Sequence, residues 1–266
     1  MRLSIFIAIL ILSSCEGYLG ERETDLIKEI KSNNILCLQF KCDGIPCSQA
    51  LADGNTKIEI NTIVPSEIED SKNSIKITTG NGTFSSSDSS ESKSLTAIKT
   101  ERNLIDMNQC GNNNLPIKVA TDTLITSITP NRFSVEMEVD ILKKNVRFEF
   151  LKADIESVSL SADRFSILNT PQSEATLVAK GNRAKGQPSM GQNIVFKLEL
   201  ADGTVIDDDW KFRNTRNKTN ESNEATTTFT VGDIDYVGEL FCIACVDEVI
   251  AGAICDTVQI KVLDDE

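Results

Sequence analysis

The chain contains no histidine. That removes the imidazole base of Ser-His and Cys-His nucleophile pairs and the usual nitrogen ligand of zinc hydrolases. Any metal would depend on thiolates and carboxylates alone. The chain also lacks a Gly-x-Ser-x-Gly elbow and a glycine-rich loop with Lys that could cradle phosphate. Basic residues are few, 27 against 40 acidic ones, giving a formal charge of −13, and they form no cluster. Nucleic acid binds chiefly through neutralisation of its phosphates by Lys and Arg, so this balance excludes it as a partner. After Leu12 no apolar run approaches the roughly 20 residues that a membrane span requires. These absences argue against an enzyme, a metal site and a cofactor. The one enzymatic alternative left is a pair of carboxylates acting as in glycosidases, because so many acids offer many pairs.

What is present begins at the N-terminus. Arg2 precedes an apolar run, Leu3 to Leu12, too short to span a bilayer but of the length of a signal-peptide core. Read from these residues, residues 1–14 are an export signal ending at a cysteine. The sequence Leu12-Ser13-Ser14-Cys15 resembles the lipobox of bacterial lipoproteins. That resemblance implies cleavage before Cys15 and a lipid on Cys15 that ties the protein to a membrane, where acyl chains contribute about 0.8 kcal/mol per buried CH₂. It also implies a bacterial cell envelope. Glu16 stands where the enterobacterial retention signal has Asp, which favours the outer membrane, with the leaflet left open.

Seven cysteines follow: Cys37, Cys42, Cys47, Cys110, Cys242, Cys245 and Cys255. In an exported chain they read first as disulfides, and an odd count leaves at least one unpaired. The first four permit three pairings. One of them joins the first strand to the Cys110 loop and Cys42 to Cys47. Cys242-Ile243-Ala244-Cys245 with Cys255 could ligate metal or shuttle electrons. A structural bridge is the stronger reading, because no His or fourth Cys completes a site. Cys245 or Cys242 would then pair with Cys255 across the base of a hairpin.

Residues 15–34 form a polar tether with a short helical pattern at Leu26, Ile27 and Ile30. From Ile35 the apolar period changes to two. Strands are expected at Ile35 to Lys41, Lys57 to Val64 and Ser74 to Thr78, with weaker ones at Ser94 to Thr100 and Pro116 to Thr121. Residues Ser85 to Ser94 read as a solvated loop. Arg132 to Leu142 alternates most cleanly, with Lys143-Lys144-Asn145 as the turn into a returning strand through Val146, Phe148 and Phe150. A second series runs Val158 to Ile167, Glu174 to Lys180, Asn193 to Leu200, Thr226 to Val231, Val237 to Val246 and Thr257 to Leu263. One-sided alternation of this kind belongs to antiparallel sheets with one wet face. Regular short strands with turn signals give an all-β chain of two tandem antiparallel β-sandwiches, residues 35–152 and 153–266.

Ala50-Leu51-Ala52-Asp53-Gly54-Asn55-Thr56-Lys57-Ile58, followed by Thr79-Gly80-Asn81-Gly82-Thr83-Phe84, resembles the bacterial Ig-like domain of the invasin and intimin type. That family opens with an Ala-Asp-Gly turn into an alternating strand and carries a Gly-x-Gly-Thr-Phe-like turn. Its Gly-x-Pro-Val turn is replaced here by residues 65–72. Leu160-Ser161-Ala162-Asp163, with Gly186-Gln187-Pro188 and Ile194-Val195-Phe196, resembles a second copy. The resemblance implies Ig-like modules at an envelope, used for adhesion or for holding a binding surface off the membrane.

Three features remain. Asp207-Asp208-Asp209 could offer oxygens to Ca²⁺, but consecutive side chains of an extended segment diverge, so a solvated loop is the stronger reading. Trp210, the single Trp, could stack on a sugar or plug the second core. Asp235-Tyr236 fits a tyrosine corner. The expected activity is binding of a protein or glycan ligand through loops of the second domain, Asp202 to Asp209, Asn214 to Glu224 and Asp247 to Ile254. The alternative is an accessory subunit of an outer-membrane uptake or assembly complex, docked through a sheet edge or face.

Overall fold

The computed structural model describes residues 36–65, 74–85, 92–96, 98–99, 117–140, 142–206, 212–230, 236–247 and 253–265. Among these there is no helix. The signal segment, the tether and the loop carrying Cys110 lie outside the described residues.

The first sandwich contains β1 (Cys37–Cys42), β2 (Ile45–Pro46), β3 (Gln49–Leu51), β4 (Lys57–Pro65), β5 (Ser74–Thr79), β6 (Thr83–Phe84), β7 (Ser92–Thr96), β8 (Ile98–Lys99), β9 (Ile117–Ile125), β10 (Asn131–Val139) and β11 (Leu142–Leu151). One sheet runs β2-β1-β4-β9-β6, with β8 also on β9, and the other runs β3-β11-β10-β5-β7. Apolar residues at every second position turn toward the space between them: Ile58 and Ile60 on β4, Ile75 and Ile77 on β5, Val135 and Met137 on β10, all fully buried. The Phe40 and Phe148 rings meet there with centroids 4.8 Å apart, so the two sheets share one core.

The second sandwich contains β12 (Ser157–Ala162), β13 (Ser166–Leu168), β14 (Glu174–Asn182), β15 (Asn193–Leu200), β16 (Val205–Ile206), β17 (Arg216–Lys218), β18 (Glu224–Thr230), β19 (Gly238–Val246) and β20 (Cys255–Leu263). Its sheets run β12-β14-β18 and β13-β20-β19-β15-β16, with β17 also on β15. Ala175, Leu177, Ala179 and Phe229 from one sheet pack on Ile194, Phe196, Leu240 and Ile260 from the other. Phe212 joins them, its ring 5.8 Å from Phe229 and 6.1 Å from Phe196. The connectivity repeats that of the first sandwich. β12-β14-β18 matches β1-β4-β9, and β13-β20-β19-β15-β16 matches β3-β11-β10-β5-β7. Each is an Ig-like sandwich.

Compact units divide the chain less simply than its sequence order. Of the described residues, one holds those of 36–49, Lys57–Ile125 and Arg132–Glu149, and the other those of Ala50–Thr56, Thr126–Asn131 and Phe150–Glu266. Within the second unit, the Asp53 carboxylate closes the Ala-Asp-Gly turn. Its Oδ1 accepts from the Asn55 and Thr56 amides at 3.0 and 2.7 Å and from the Thr126 hydroxyl at 3.0 Å, and its Oδ2 accepts from the Thr56 hydroxyl at 2.8 Å. Burial pushes this carboxyl's pKa up, but those four donors outweigh it and hold the pKa below the ordinary value. The Asp53 carbonyl accepts from the Gln187 amide at 2.8 Å. Gly186 sits against it with φ +68°, where a Cβ would lie 2.9 Å from the Asp53 side chain. Only glycine fits that approach.

Several local readings of the sequence differ from the fold: the expected loop Ser85 to Ser94 runs into β7, and the expected loop Asp202 to Asp209 contains β16. The strand expected over Val158 to Ile167 is two strands in different sheets. Asp163 ends β12 by exchanging bonds with Thr176, its amide donating to the Thr176 carbonyl at 3.0 Å and its Oδ1 accepting from the Thr176 amide at 2.7 Å. The chain then crosses, and β13 pairs in parallel with β20. The β10–β11 turn falls at Asp140, in the left-handed region at φ 54°, and not at Lys143-Lys144-Asn145. Asp tolerates that conformation better than the lysines, which leaves Lys143 in β11 with Nζ 3.2 Å from Glu136 and 3.5 Å from Glu138. Asn214 to Glu224, expected as loop, includes β17.

Candidate functional site

The cysteines sort by strand geometry. β1 and β2 are joined by Asp43-Gly44, both with positive φ (52° and 78°), the tight hairpin turn that such a pair favours. Cys42–Cys47 closes it with Cα atoms 5.8 Å apart. Cys37 is also disulfide-bonded, while Cys110 and Cys15 lie outside the described residues. Cys245 and Cys255 stand opposite each other in the β19–β20 register and are bonded, Cα to Cα 4.1 Å.

Among the described residues Cys242 is the free thiol, fully buried, and burial pushes its pKa up to about 12. Successive side chains on a strand point to opposite faces, so residues three apart never share one. Cys242 therefore faces the core while Cys245 faces out. The Cys-x-x-Cys spacing builds neither a metal site nor a redox pair here. Among the described residues no group of three Cys, Asp or Glu is placed to hold a metal ion.

Asp207-Asp208-Asp209 and Trp210 lie outside the described residues, as do Asp235 and 248–252. Tyr236 is not a tyrosine corner. Its hydroxyl donates to the Glu239 carbonyl at 2.8 Å, three residues downstream, whereas a corner bonds upstream. The described parts of the expected capture loops are mainly polar. Asn220 Oδ1 accepts from the Ser222 and Glu224 amides at 2.9 and 3.0 Å, a self-contained turn. Arg216 Nη1 meets Asp247 Oδ2 at 2.6 Å.

Ile45 on β2 and Val237 are exposed singly, but apolar side chains reach the surface together on the sheet β13-β20-β19-β15-β16. On β19, Leu240, Cys242, Ala244 and Val246 are buried, so Phe241, Ile243 and Cys245 point to the outer face, where they are half-buried. Their lateral neighbours follow from the register. Phe241 stands between Gln259 and Glu199, Ile243 between Thr257 and Lys197, and the Cys245–Cys255 bridge beside Val195. Val205, 56% exposed on β16, opposes Glu199. At the other edge Leu168 and Leu263 are exposed and oppose each other across β13 and β20, and Phe165, 67% exposed, precedes β13 with its carbonyl accepting from the Lys261 amide. The result is an apolar strip along β19, rimmed by Lys197, Glu199, Glu239 and Lys261, with a second apolar group at the β13 edge.

The outer faces of two other sheets are different. β18 presents Thr226, Thr228 and Thr230, and β10 presents Glu136 and Glu138. The strip is therefore not shared by those two faces, although the β1-β4-β9 sheet carries a separate apolar group of Cys37, Ile63 and Ile117, which is buried. Its sequence signal is Leu240 to Val246, LFCIACV, seven apolar residues without alternation. Such a run marks a strand apolar on both faces.

No protein-family model matches the chain, and no curated protein matches it. Among solved structures it is similar to invasin, a bacterial integrin-binding protein, with TM-score 0.53 at 20% identity, over 86% of this chain and 39% of that one. It is also similar to the adhesin InvE of Yersinia pseudotuberculosis, with TM-score 0.48 at 12% identity, over 86% of this chain and 60% of that one. The chain thus spans 39% and 60% of the lengths of those two proteins. The likeness to invasin shows the Ig-like fold.

Proposed function

We propose that this chain is a lipid-anchored cell-envelope protein whose Ig-like sandwiches act in adhesion, binding a protein through the outer face of the β13-β20-β19-β15-β16 sheet. The observation that carries the reading is the strip of Phe241, Ile243 and the Cys245–Cys255 bridge, facing out where an Ig-like sheet facing water would place polar side chains. Aromatic and aliphatic side chains ringed by charge are the composition of a protein-binding patch. The likeness in fold to invasin, an integrin-binding protein, supports the same reading. The protein would act by contact and not by catalysis. The anchor would be lipid on Cys15, in the outer membrane, with residues 16–34 as the tether.

Two experiments test this. Mass spectrometry of the mature N-terminus should find acylated Cys15; an unmodified N-terminus elsewhere removes the anchor. Beads coated with residues 16–266 should adhere to epithelial monolayers saturably and in a way abolished by mild protease treatment of the monolayer. Phe241→Asp should abolish adhesion while leaving the circular dichroism melt in place. Adhesion equal to wild type would overturn the assignment of the face.

The β13 edge favours a second mode of protein contact. Phe165, Leu168 and Leu263 would suit docking as a subunit of an envelope assembly. Co-purification of a stoichiometric partner from detergent extract, lost on Phe165→Asp, is the expected result for that reading.

A further inference from the structure

The first sandwich carries a cleft that the binding face does not use. It has a volume of about 340 Å³ and is lined by Ser48, Arg132, Phe133, Ser134, Arg147, Phe148 and Glu149. Phe133 and Phe148 are buried, so the accessible groups are two guanidiniums, two hydroxyls and one carboxylate. One donor of the Arg132 guanidinium is engaged, its Nε donating to Glu149 Oε1 at 3.0 Å. Arg147 is exposed and has no ion-pair or hydrogen-bond partner among the described residues. The chain carries 40 acidic side chains against 27 basic ones. An exposed guanidinium left unpaired in this cleft is open to an anionic partner from outside.

We propose that this cleft binds a singly charged sugar, one bearing a carboxylate or a sulfate ester, with the anionic group on Arg147. The planar fork of the guanidinium matches two oxygens of either group. Glu149 sets the charge limit. Its carboxylate offsets one of the two guanidiniums, so the lining carries a single net positive charge and a doubly charged ligand gains no second partner. The same groups explain the preference for a polyhydroxyl body. Ser48 and Ser134 can donate to or accept from sugar hydroxyls, and the remaining Glu149 lone pairs accept from them. The volume is at the small end of the ~300–1,000 Å³ range of small-ligand sites, suited to a terminal residue and not to a long stretch of polymer. This assignment uses side chains of the first sandwich alone and stands whether or not the β19 face binds a protein.

The test is NMR titration of ¹⁵N-labelled residues 16–266 with glucuronate, glucose 6-sulfate, glucose and acetate. Glucuronate, glucose 6-sulfate or both should shift the Ser134, Arg147 and Glu149 amides saturably, with dissociation constants on the order of millimolar. Comparing those two tells a carboxylate from a sulfate ligand. Glucose and acetate should each bind at least about tenfold more weakly, since each lacks one half of the recognition. Arg147→Gln, at an exposed position where folding is untouched, should lose at least about tenfold in affinity, with Arg147→Lys between. Binding should also weaken as salt rises toward about 1 M. Acetate binding as tightly as glucuronate, or an Arg147→Gln variant with wild-type affinity, would overturn the proposal. So would the absence of saturable shifts with both charged sugars at tens of millimolar.

Discussion

Replacing Asp53 by Ala removes the acceptor of four hydrogen bonds at once: those from the Asn55 and Thr56 amides and from the Thr56 and Thr126 hydroxyls. A hydrogen bond to a charged group contributes about 1.5–3 kcal/mol, but bonds converging on one carboxylate are not additive. Asp53 is 6% exposed, so water reaches the orphaned donors only in part. We expect a loss of about 2–4 kcal/mol, the upper range for a single substitution outside an apolar core. Asp53→Asn keeps an acceptor at Oδ1 and should cost roughly 1–2 kcal/mol. The pH dependence separates charge from shape. The folded pKa of Asp53 lies below the ordinary value of 3.8. Its stabilisation is therefore fully present above that value and is lost as pH falls through the lower, folded-state value. Urea unfolding of residues 16–266, followed by far-ultraviolet circular dichroism, should show the gap between wild type and Asp53→Asn closing between about pH 5 and pH 2. A gap unchanged over that range, or a loss below about 0.5 kcal/mol for Asp53→Ala, would refute this account of the turn.

Three further outcomes can be checked on the same material. The double variant Cys245→Ser/Cys255→Ser opens a bridge between residues 10 apart in sequence and should lower stability by roughly 2–3 kcal/mol, measured without reductant against wild type. Cys242, buried with its pKa pushed up to about 12, should resist iodoacetamide in the native protein at pH 8 and react on unfolding in urea; peptide mass spectrometry reads both states. Gly186→Ala should destabilise by about 1–3 kcal/mol in the same urea assay, because its φ of +68° and the 2.9 Å approach to Asp53 leave no room for a methyl group.

Strands with one apolar face were legible in the sequence: β15 occupies Asn193–Leu200, where its alternation puts it, and β4 and β14 extend only slightly beyond their expected ends. The split of β12 from β13 also left a trace. Inward positions run Val158, Leu160, Ala162 and then Ile167, a slip from even to odd, which a continuous strand cannot make. β17, Arg216–Lys218, was not legible, because an edge segment held to β15 by backbone bonds has no apolar pattern to show. The Cys-x-x-Cys spacing misleads for a related reason. It converges on a turn or helix and diverges on a strand, so its meaning depends on secondary structure and not on spacing. The outward strip was visible as the unbroken apolar run of β19, but an apolar run alone does not say whether its second face is covered. The placing of Ala50–Thr56 with the second unit depends on contacts to Gln187 and Ser189, more than 130 residues away in sequence.

The most direct test compares opposite sheets of the second sandwich. Fluorescent residues 16–266 would be titrated onto epithelial cells as wild type, as Phe241→Asp/Ile243→Asp on β19, and as Thr226→Asp/Thr228→Asp on β18. The first pair of substitutions should abolish saturable binding, and the second pair should leave it within about twofold of wild type. Equal losses from both faces, or none from β19, would contradict the assignment of the β19 face.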